Sequence, residues 1–140
     1  MRYVAFDIES ANSDPDVISD MSEFGYVVAD EDFIIVEKKL IRIKPRKVGN
    51  WNKEAYGIDD SDFKDCLEFS HNYQEIKKIL EFPEQMIFAH SAKRDLVFLG
   101  RECRRNKLDA PRIEVFDTVT IYKKYWKIES GDTNLPKTAE

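Results

Sequence analysis

Two acidic residues near the amino terminus, Asp7 and Glu9, have the spacing and the surroundings of a metal-binding pair. They follow the apolar segment 3–6 and are separated by the apolar Ile8. Side chains alternate between the faces of an extended strand, so the two carboxylates project from one face. Neighbouring carboxylates at the end of a buried strand repel each other and lose hydration, and a bound cation offsets both effects. Mg²⁺ takes oxygen ligands and shares them with substrate phosphates, so the pair predicts a metal site for phosphate chemistry.

A third acid, Asp95, lies near the start of a predicted helix that follows the short apolar strand 86–89. A position close to the N-terminal end of a helix favours the ionised form of a carboxylate. If that strand lies beside the first one, Asp95 faces Asp7 and Glu9. Three carboxylates from two neighbouring elements would then supply ligands for one or two divalent cations.

The rest of the chain must supply the elements that hold these acids in place. After the first strand, further strands are predicted at 24–29, 33–43, 86–89 and 113–116. Helices are predicted from residue 72 up to Pro83 and over 91–106 and 117–126, with a further helix starting at 135–140, while 48–63 is predicted to be irregular. Three strands in hairpin order, followed by alternating helices and strands, predict an α/β fold with a five-stranded mixed sheet flanked by helices.

Several single residues carry expectations of their own. Ser91 and Asp117 each stand at the start of a predicted helix and are expected to cap it, which for Asp117 is favoured over a role as a metal ligand. Trp51, Tyr56 and Trp126 are expected to pack in the core or in a lid, although an exposed aromatic ring is also able to stack on a base.

Composition restricts the class of protein. The 140 residues are 42% hydrophobic and 12% aromatic, which suits one globular domain. No apolar run is long enough to span a membrane and no signal peptide is evident, so a soluble cytoplasmic protein is expected. Cys66 and Cys103 lack metal-ligand spacing and are expected to be reduced thiols.

The net charge of −5 disfavours nucleic-acid binding through bulk positive charge. Basic residues nevertheless cluster at 38–53 and 93–107. These clusters suit either a local basic surface over which a nucleic acid approaches the acids, or ordinary solvent-exposed faces of helices and strands.

With these residues in view, the sequence resembles the DEDD (DnaQ-like) 3′–5′ exonucleases, which have a ribonuclease H-like fold. The pattern is similar to that of the proofreading exonuclease domain of the epsilon-subunit type. Five stretches carry the resemblance, in the family's order: Phe-Asp-Ile-Glu-Ser at 6–10, 23–28 with its glycine, 52–60 with Tyr-Gly-Ile-Asp near its end, 88–99 with Ala-His-Ser and Arg-Asp-Leu-Val-Phe-Leu, and Phe-Asp-Thr-Val at 116–119.

The resemblance implies a metal-dependent exonuclease that hydrolyses phosphodiester bonds at the 3′ ends of single-stranded DNA or RNA, with DNA expected, in proofreading, repair or RNA trimming. It assigns catalysis, and the binding of two Mg²⁺ or Mn²⁺ ions, to Asp7, Glu9 and Asp95. A polymerase or a further domain is an expected partner, and no membrane is involved.

The resemblance also implies substrate-binding positions. Ser10 and Ala11 match positions that lie against the terminal nucleotide. His90 and Ser91 match the pair that flanks the pocket, although asparagine is usual in place of Ser91. Arg94 also stands where phenylalanine is usual, so contacts inside the pocket are expected to differ from the family pattern.

The chain departs from the family in one larger respect. The family has a histidine or tyrosine general base followed by a fourth acid, and no histidine follows His90 here. Residues 1–140 are therefore expected to be an exonuclease domain without its C-terminal part, or a naturally short inactive protein. Either way, weak or absent hydrolysis is expected.

Two rival functions remain open. A non-catalytic nucleic-acid-binding or assembly module would keep the same fold. A phosphatase with an aspartyl nucleophile requires Asp-x-Asp at this position, and Glu9 disfavours it.

Overall fold

The computed structural model describes residues 1–12 and 20–126, apart from the side chain of Trp126. Within these residues five strands form one sheet in the order β3-β2-β1-β4-β5. The strands are β1 Arg2–Ser10, β2 Met21–Ala29, β3 Ile35–Arg42, β4 Gln85–Ala89 and β5 Val115–Asp117.

The first strand occupies the centre of the sheet. β1 runs antiparallel to β2 and parallel to β4, with Arg2 opposite Gln85 and Ala5 opposite Phe88. β3 is antiparallel to β2, and β5 is parallel to β4. The expectation of three strands in hairpin order, followed by alternating helices and strands in a mixed sheet, is confirmed.

Four α-helices accompany the sheet in the described part of the chain. They are α1 Asn50–Tyr56, α2 Phe69–Leu80, α3 Ala92–Arg105 and α4 Thr118–Trp126. The predicted helix at 135–140 lies outside the described residues.

The expectation that residues 48–63 are irregular was wrong, because they contain α1 and a 3₁₀ helix at Asp60–Phe63. Helix α1 has only seven residues and no apolar stripe, so periodicity does not reveal it. Its ends are fixed by backbone contacts instead. Gly49 N–H donates to the Ala11 carbonyl at 2.8 Å, and Gly57 ends the helix at a left-handed φ of 64°.

The hydrophobic core lies on one face of the sheet. Val4, Phe6 and Ile8 of β1 are buried, whereas the side chains that alternate with them are exposed. Helices α2 and α3 cover the buried face and belong to the same cluster, through Tyr73, Ile76, Ile79, Leu80, Phe98, Leu99 and Cys103. The carboxylates of β1 therefore project from the face opposite the core.

A buried network of charges joins the end of α3 to the start of β2. One Arg105 amine (Nη1) donates to the carboxylates of Asp20 and Glu102, and all three side chains are about nine-tenths buried. Asp20 also accepts the Arg46 backbone N–H at 2.9 Å, and its own carbonyl accepts the Ala11 N–H at 2.9 Å. The network thereby fixes the chain just beyond the end of β1.

Cys66 and Cys103 are free thiols, and Cys103 is buried in the core. No helix within residues 1–12 and 20–126 has the length and apolarity needed to cross a bilayer.

Candidate active site

The structure brings the three predicted acids together at one end of the open sheet face. Asp7 and Glu9 are exposed near the end of β1, between buried neighbours. Asp95 lies in the first turn of α3, is only 4% exposed, and accepts a hydrogen bond from the backbone N–H of Ile8. Its carboxylate therefore lies directly against β1, between the positions that carry the other two.

The proximity of these carboxylates changes their acidity. Burial raises the pKa of Asp95 to about 7, with a further increase from the negative charge of Asp7 and a smaller opposing effect of Arg94. The expected preference for ionised Asp95 at the helix start is therefore outweighed by burial. Burial also raises the pKa of Glu9, again assisted by Asp7. The site therefore holds more negative charge than its own cations neutralise.

The donor set fits a divalent cation in its chemistry. The Asp95 Oδ2 oxygen is buried and has no hydrogen-bond partner in the described structure. An unsatisfied buried carboxylate oxygen is costly, and a hard cation such as Mg²⁺ or Mn²⁺ satisfies it. No three histidine, cysteine or acidic side chains in the described ranges already surround a single metal position.

The acids line one end of a cleft of about 980 Å³ that extends across the open face. Strands β1 to β4 form its floor, and the beginnings of α3 and α4 form one wall. The floor also includes Ala5, Gly25, Val27, Lys38, Leu40 and Phe88. A cleft of this size accommodates a ligand larger than a metal ion.

His90 and Ser91, the two predicted pocket residues after β4, also line this cleft. The His90 Nδ1 lies 3.0 Å from Thr118 Oγ1, which fixes the ring orientation. The Ser91 N–H donates to Asp117 Oδ1 at 3.1 Å. The same Asp117 oxygen accepts the Val119 N–H at 2.9 Å, so the expectation that Asp117 caps a helix is confirmed.

Ser91 takes the N-cap position of α3 but does not cap with its side chain. Its backbone is left-handed, with φ 63° and ψ 44°, and its hydroxyl makes no cap hydrogen bond. A capping serine has an extended backbone, which aims its oxygen at the first amides of the helix. The expectation of side-chain capping was therefore wrong.

We expect Ser91→Asn to raise the free energy of unfolding by about 0.5–1 kcal/mol, because asparagine adopts left-handed geometry several-fold more readily than serine. Urea denaturation measures the change. Ser70→Asn, on an exposed position in the first turn of α2, serves as the control and is expected to give no gain. Equal gains at both positions would contradict the backbone explanation.

The two other predicted substrate positions do not face the cleft. The Ser10 hydroxyl donates to the Asn12 carbonyl at 2.8 Å, and the Ser10 carbonyl accepts from the Asn52 amide at 3.2 Å. The Ala11 side chain is fully buried in a small cluster with Val48 and Phe63. In this conformation both residues shape the end of β1.

Gly49 supports this end of the strand through a close approach. A Cβ at Gly49 would lie 2.6 Å from the Asn12 side-chain oxygen and 3.1 Å from that of Asn52. No other residue type fits between the two amides without displacing them, so the glycine lets α1 begin directly beside the end of β1.

Sequence reasoning missed some features of the site. Thr118 lines the cleft, and the only signal for it was its place after Asp117 at the end of β5. Lys38 lines it too, and the alternation of β3 places it on the same face as Leu40. The expectation that Trp51 and Tyr56 pack in the core was wrong. They are 55% and 65% exposed and form an edge-to-face pair at 5.4 Å on the short surface helix α1.

Comparison with known proteins gives a consistent result. A family model described as exonuclease, of the RNase T type, matches residues 4–140. No curated protein is similar enough in sequence to count as a match. The nuclease domain of 3′hExo, a DEDDh family member solved with bound rAMP, shares 14% identity at a TM-score of 0.81, over 95% of this chain and 74% of that one.

E. coli exonuclease I in complex with a dT13 oligonucleotide shares 15% identity at a TM-score of 0.76. The alignment covers 99% of this chain but only 32% of exonuclease I. At these identities the likeness establishes the fold. The predicted ribonuclease H-like α/β fold is therefore confirmed.

Proposed function

Since the chain belongs to the RNase T family of exonucleases, as its resemblance to the DnaQ-like enzymes predicted, we propose that residues 1–140 form a divalent-metal-dependent 3′–5′ exonuclease domain. Its substrates are the 3′ ends of single-stranded nucleic acid, with DNA favoured. The observation that carries the proposal is the buried, unpartnered oxygen of Asp95 beside Asp7 and Glu9 at the end of an open cleft.

In this proposal Asp7, Glu9 and Asp95 hold Mg²⁺ or Mn²⁺. When bound, the metal polarises the phosphodiester and lowers the pKa of a coordinated water. The protein's own residues contribute by holding the metal-binding and pocket side chains in place. The hydrogen bond from Ile8 N–H orients the Asp95 carboxylate, and Thr118 orients His90 on the cleft wall.

The shape of the cleft supports a single strand as the ligand. Its floor is a sheet face with apolar side chains such as Leu40 and Phe88, which suit the faces of unpaired bases. The structural neighbours were solved with rAMP and with an oligonucleotide, ligands of the same class. A polymerase or further domain as partner, and a cytoplasmic location, belong to the same proposal.

A non-catalytic nucleic-acid-binding module is the second candidate. The cleft floor supports it, because Leu40 and Phe88 suit the faces of unpaired bases whether or not a metal is bound. No histidine follows His90 within residues 1–140, so we expect slow hydrolysis by residues 1–140 even with metal. Binding of metal and of 3′ ends therefore tests the site better than rate alone.

The test is a titration with Mn²⁺ in which the Tm of thermal unfolding is measured at each metal concentration. A ligand at a hundred times its Kd adds about 2.7 kcal/mol to the free energy of unfolding. We expect a rise in Tm for the unaltered chain and its loss in Asp7→Ala, which removes a proposed ligand. Any hydrolysis should release 5′-mononucleotides from the 3′ end of a labelled oligonucleotide.

Glu31→Ala is the matched control, because Glu31 is an exposed acid outside the cleft. This variant should keep the full Mn²⁺ response. The non-catalytic module would be favoured by two results together. The unaltered chain would show no Tm shift with Mn²⁺, and Asp7→Ala would bind an oligonucleotide as tightly as the unaltered chain.

A further inference from the structure

Arg94 is a cation placed at the acidic end of the cleft. It lies in the first turn of α3, directly before Asp95, and lines the cleft together with His90 and Ser91. Its side chain is exposed, and its guanidinium carbon lies 5.5 Å from the centre of the Phe98 ring. A guanidinium resting on an aromatic ring is held in place while its N–H edge stays available for hydrogen bonds.

The charge of Arg94 reaches both neighbouring acids. It lowers the pKa of Glu9 and of Asp95, against the stronger effect of burial. None of the ion pairs found within residues 1–12 and 20–126 includes Arg94. The guanidinium is therefore close enough to act on the site electrostatically without being bound to a carboxylate.

The other cations of the cleft are placed differently. Lys39 is paired with Glu75 of α2, and Lys38 lies on β3, two strands away from the acids. Among the cleft cations of the described structure, Arg94 is thus the one that directly precedes Asp95 in the chain and whose charge acts on both Glu9 and Asp95. A guanidinium presents paired N–H donors that match two oxygens of a phosphate, whereas an ammonium acts as a point charge.

We propose that Arg94 binds the non-bridging oxygens of a phosphate in the nucleic-acid strand and so positions that strand over the three acids. The inference rests on the proposed function and deepens it. The phosphate contact comes from the chain itself, in addition to any contact through metal. The proposal also gives a role to Arg94 at a position where phenylalanine is usual in the DnaQ-like family.

The salt dependence of binding tests the contact. Each phosphate neutralised on a single strand contributes about −0.7 to the slope of log K against log salt concentration. A 5′-fluorescein-labelled (dT)10 is titrated with the 140-residue chain in Ca²⁺ at several salt concentrations. We expect Arg94→Ala to weaken binding roughly tenfold and to make the slope shallower by about 0.7.

Two further variants separate this role from simpler ones. Arg94→Lys should keep the slope but bind more weakly than the unaltered chain, because the charge remains and the paired donors are lost. Lys93→Ala removes an exposed charge from the same turn, outside the cleft, and should leave the slope unchanged.

The results that would overturn the Arg94 contact differ from the result that would overturn the proposed function. If Arg94→Ala binds more weakly but the slope is unchanged, Arg94 stacks on a base and does not contact a phosphate. That result would overturn the phosphate contact and leave the proposed function standing. An equal change of slope in Lys93→Ala would show a bulk charge effect and would also overturn the phosphate contact. No binding of (dT)10 by the unaltered chain would overturn the proposed function together with this inference.

Discussion

Replacing Asp95 by asparagine is expected to stabilise the metal-free protein at pH 8 and to remove its response to divalent metal. Burial and the neighbouring Asp7 hold the pKa of Asp95 at about 7 in the folded chain, against 3.8 for the ordinary side chain. At pH 8 the folded protein must therefore carry an ionised carboxylate in surroundings that oppose it. Asparagine keeps the shape and removes the charge.

The sign of the pH dependence follows from linkage. Between about pH 4 and pH 7 the folded protein retains a proton that the unfolded chain has lost, so stability falls as the pH rises through this window. With 1.36 kcal/mol for each pKa unit, the cost is about 2–4 kcal/mol above pH 7. Asp95→Asn should recover this amount at pH 8 and almost nothing at pH 4.

Urea denaturation in EDTA at the two pH values measures the difference. Asp65→Asn, at an exposed position, is the matched control and should change little at either pH. A gain of equal size at pH 4 and pH 8 would show that packing, and not charge, explains the effect. In the Mn²⁺ titration Asp95→Asn should show no rise in Tm.

Arg105→Met is expected to give the largest loss of stability, about 3–5 kcal/mol in the free energy of unfolding at pH 7. The substitution leaves the carboxylates of Asp20 and Glu102 buried together without their shared cation. Burial already raises the pKa of Glu102, and Arg105 opposes that rise. The loss should therefore grow with pH, as Glu102 becomes ionised.

A second substitution identifies the cause of the loss. Arg105→Met combined with Glu102→Gln removes one of the two buried charges and should recover part of the lost stability. Arg104→Met, on the exposed side of the same helix, should change stability by less than about 0.5 kcal/mol. Identical stabilities of the single and double variants would contradict the electrostatic explanation.

Local sequence patterns were sufficient for the sheet and for the positions of the acids. The alternation of Val4, Phe6 and Ile8 determines which face of β1 the acids occupy, and that pattern is complete within nine residues. The place of Asp95 in the first turn of α3 follows from a short strand and the helix periodicity after it. The sequence left open whether the strand 86–89 lies beside the first strand, and the parallel pairing of β1 with β4 answers that question.

Features that depend on distant partners were not predictable in this way. Arg105 and Asp20 are 85 positions apart, so the sequence showed only a basic stretch and an acidic one. The left-handed backbone of Ser91 is imposed by the junction between β4 and α3, not by the preferences of serine. Ala11 is buried because α1 begins beside it, and α1 itself has no periodic signature.

The central place of β1 has a kinetic consequence. Arg2 and Gln85 lie 83 positions apart, and contacts so distant in sequence form slowly because a long loop must close first. Asp95 reaches β1 only after that closure, so the repulsion among the acids should arise late in folding. Relieving it should mainly slow unfolding and leave the refolding rate almost unchanged.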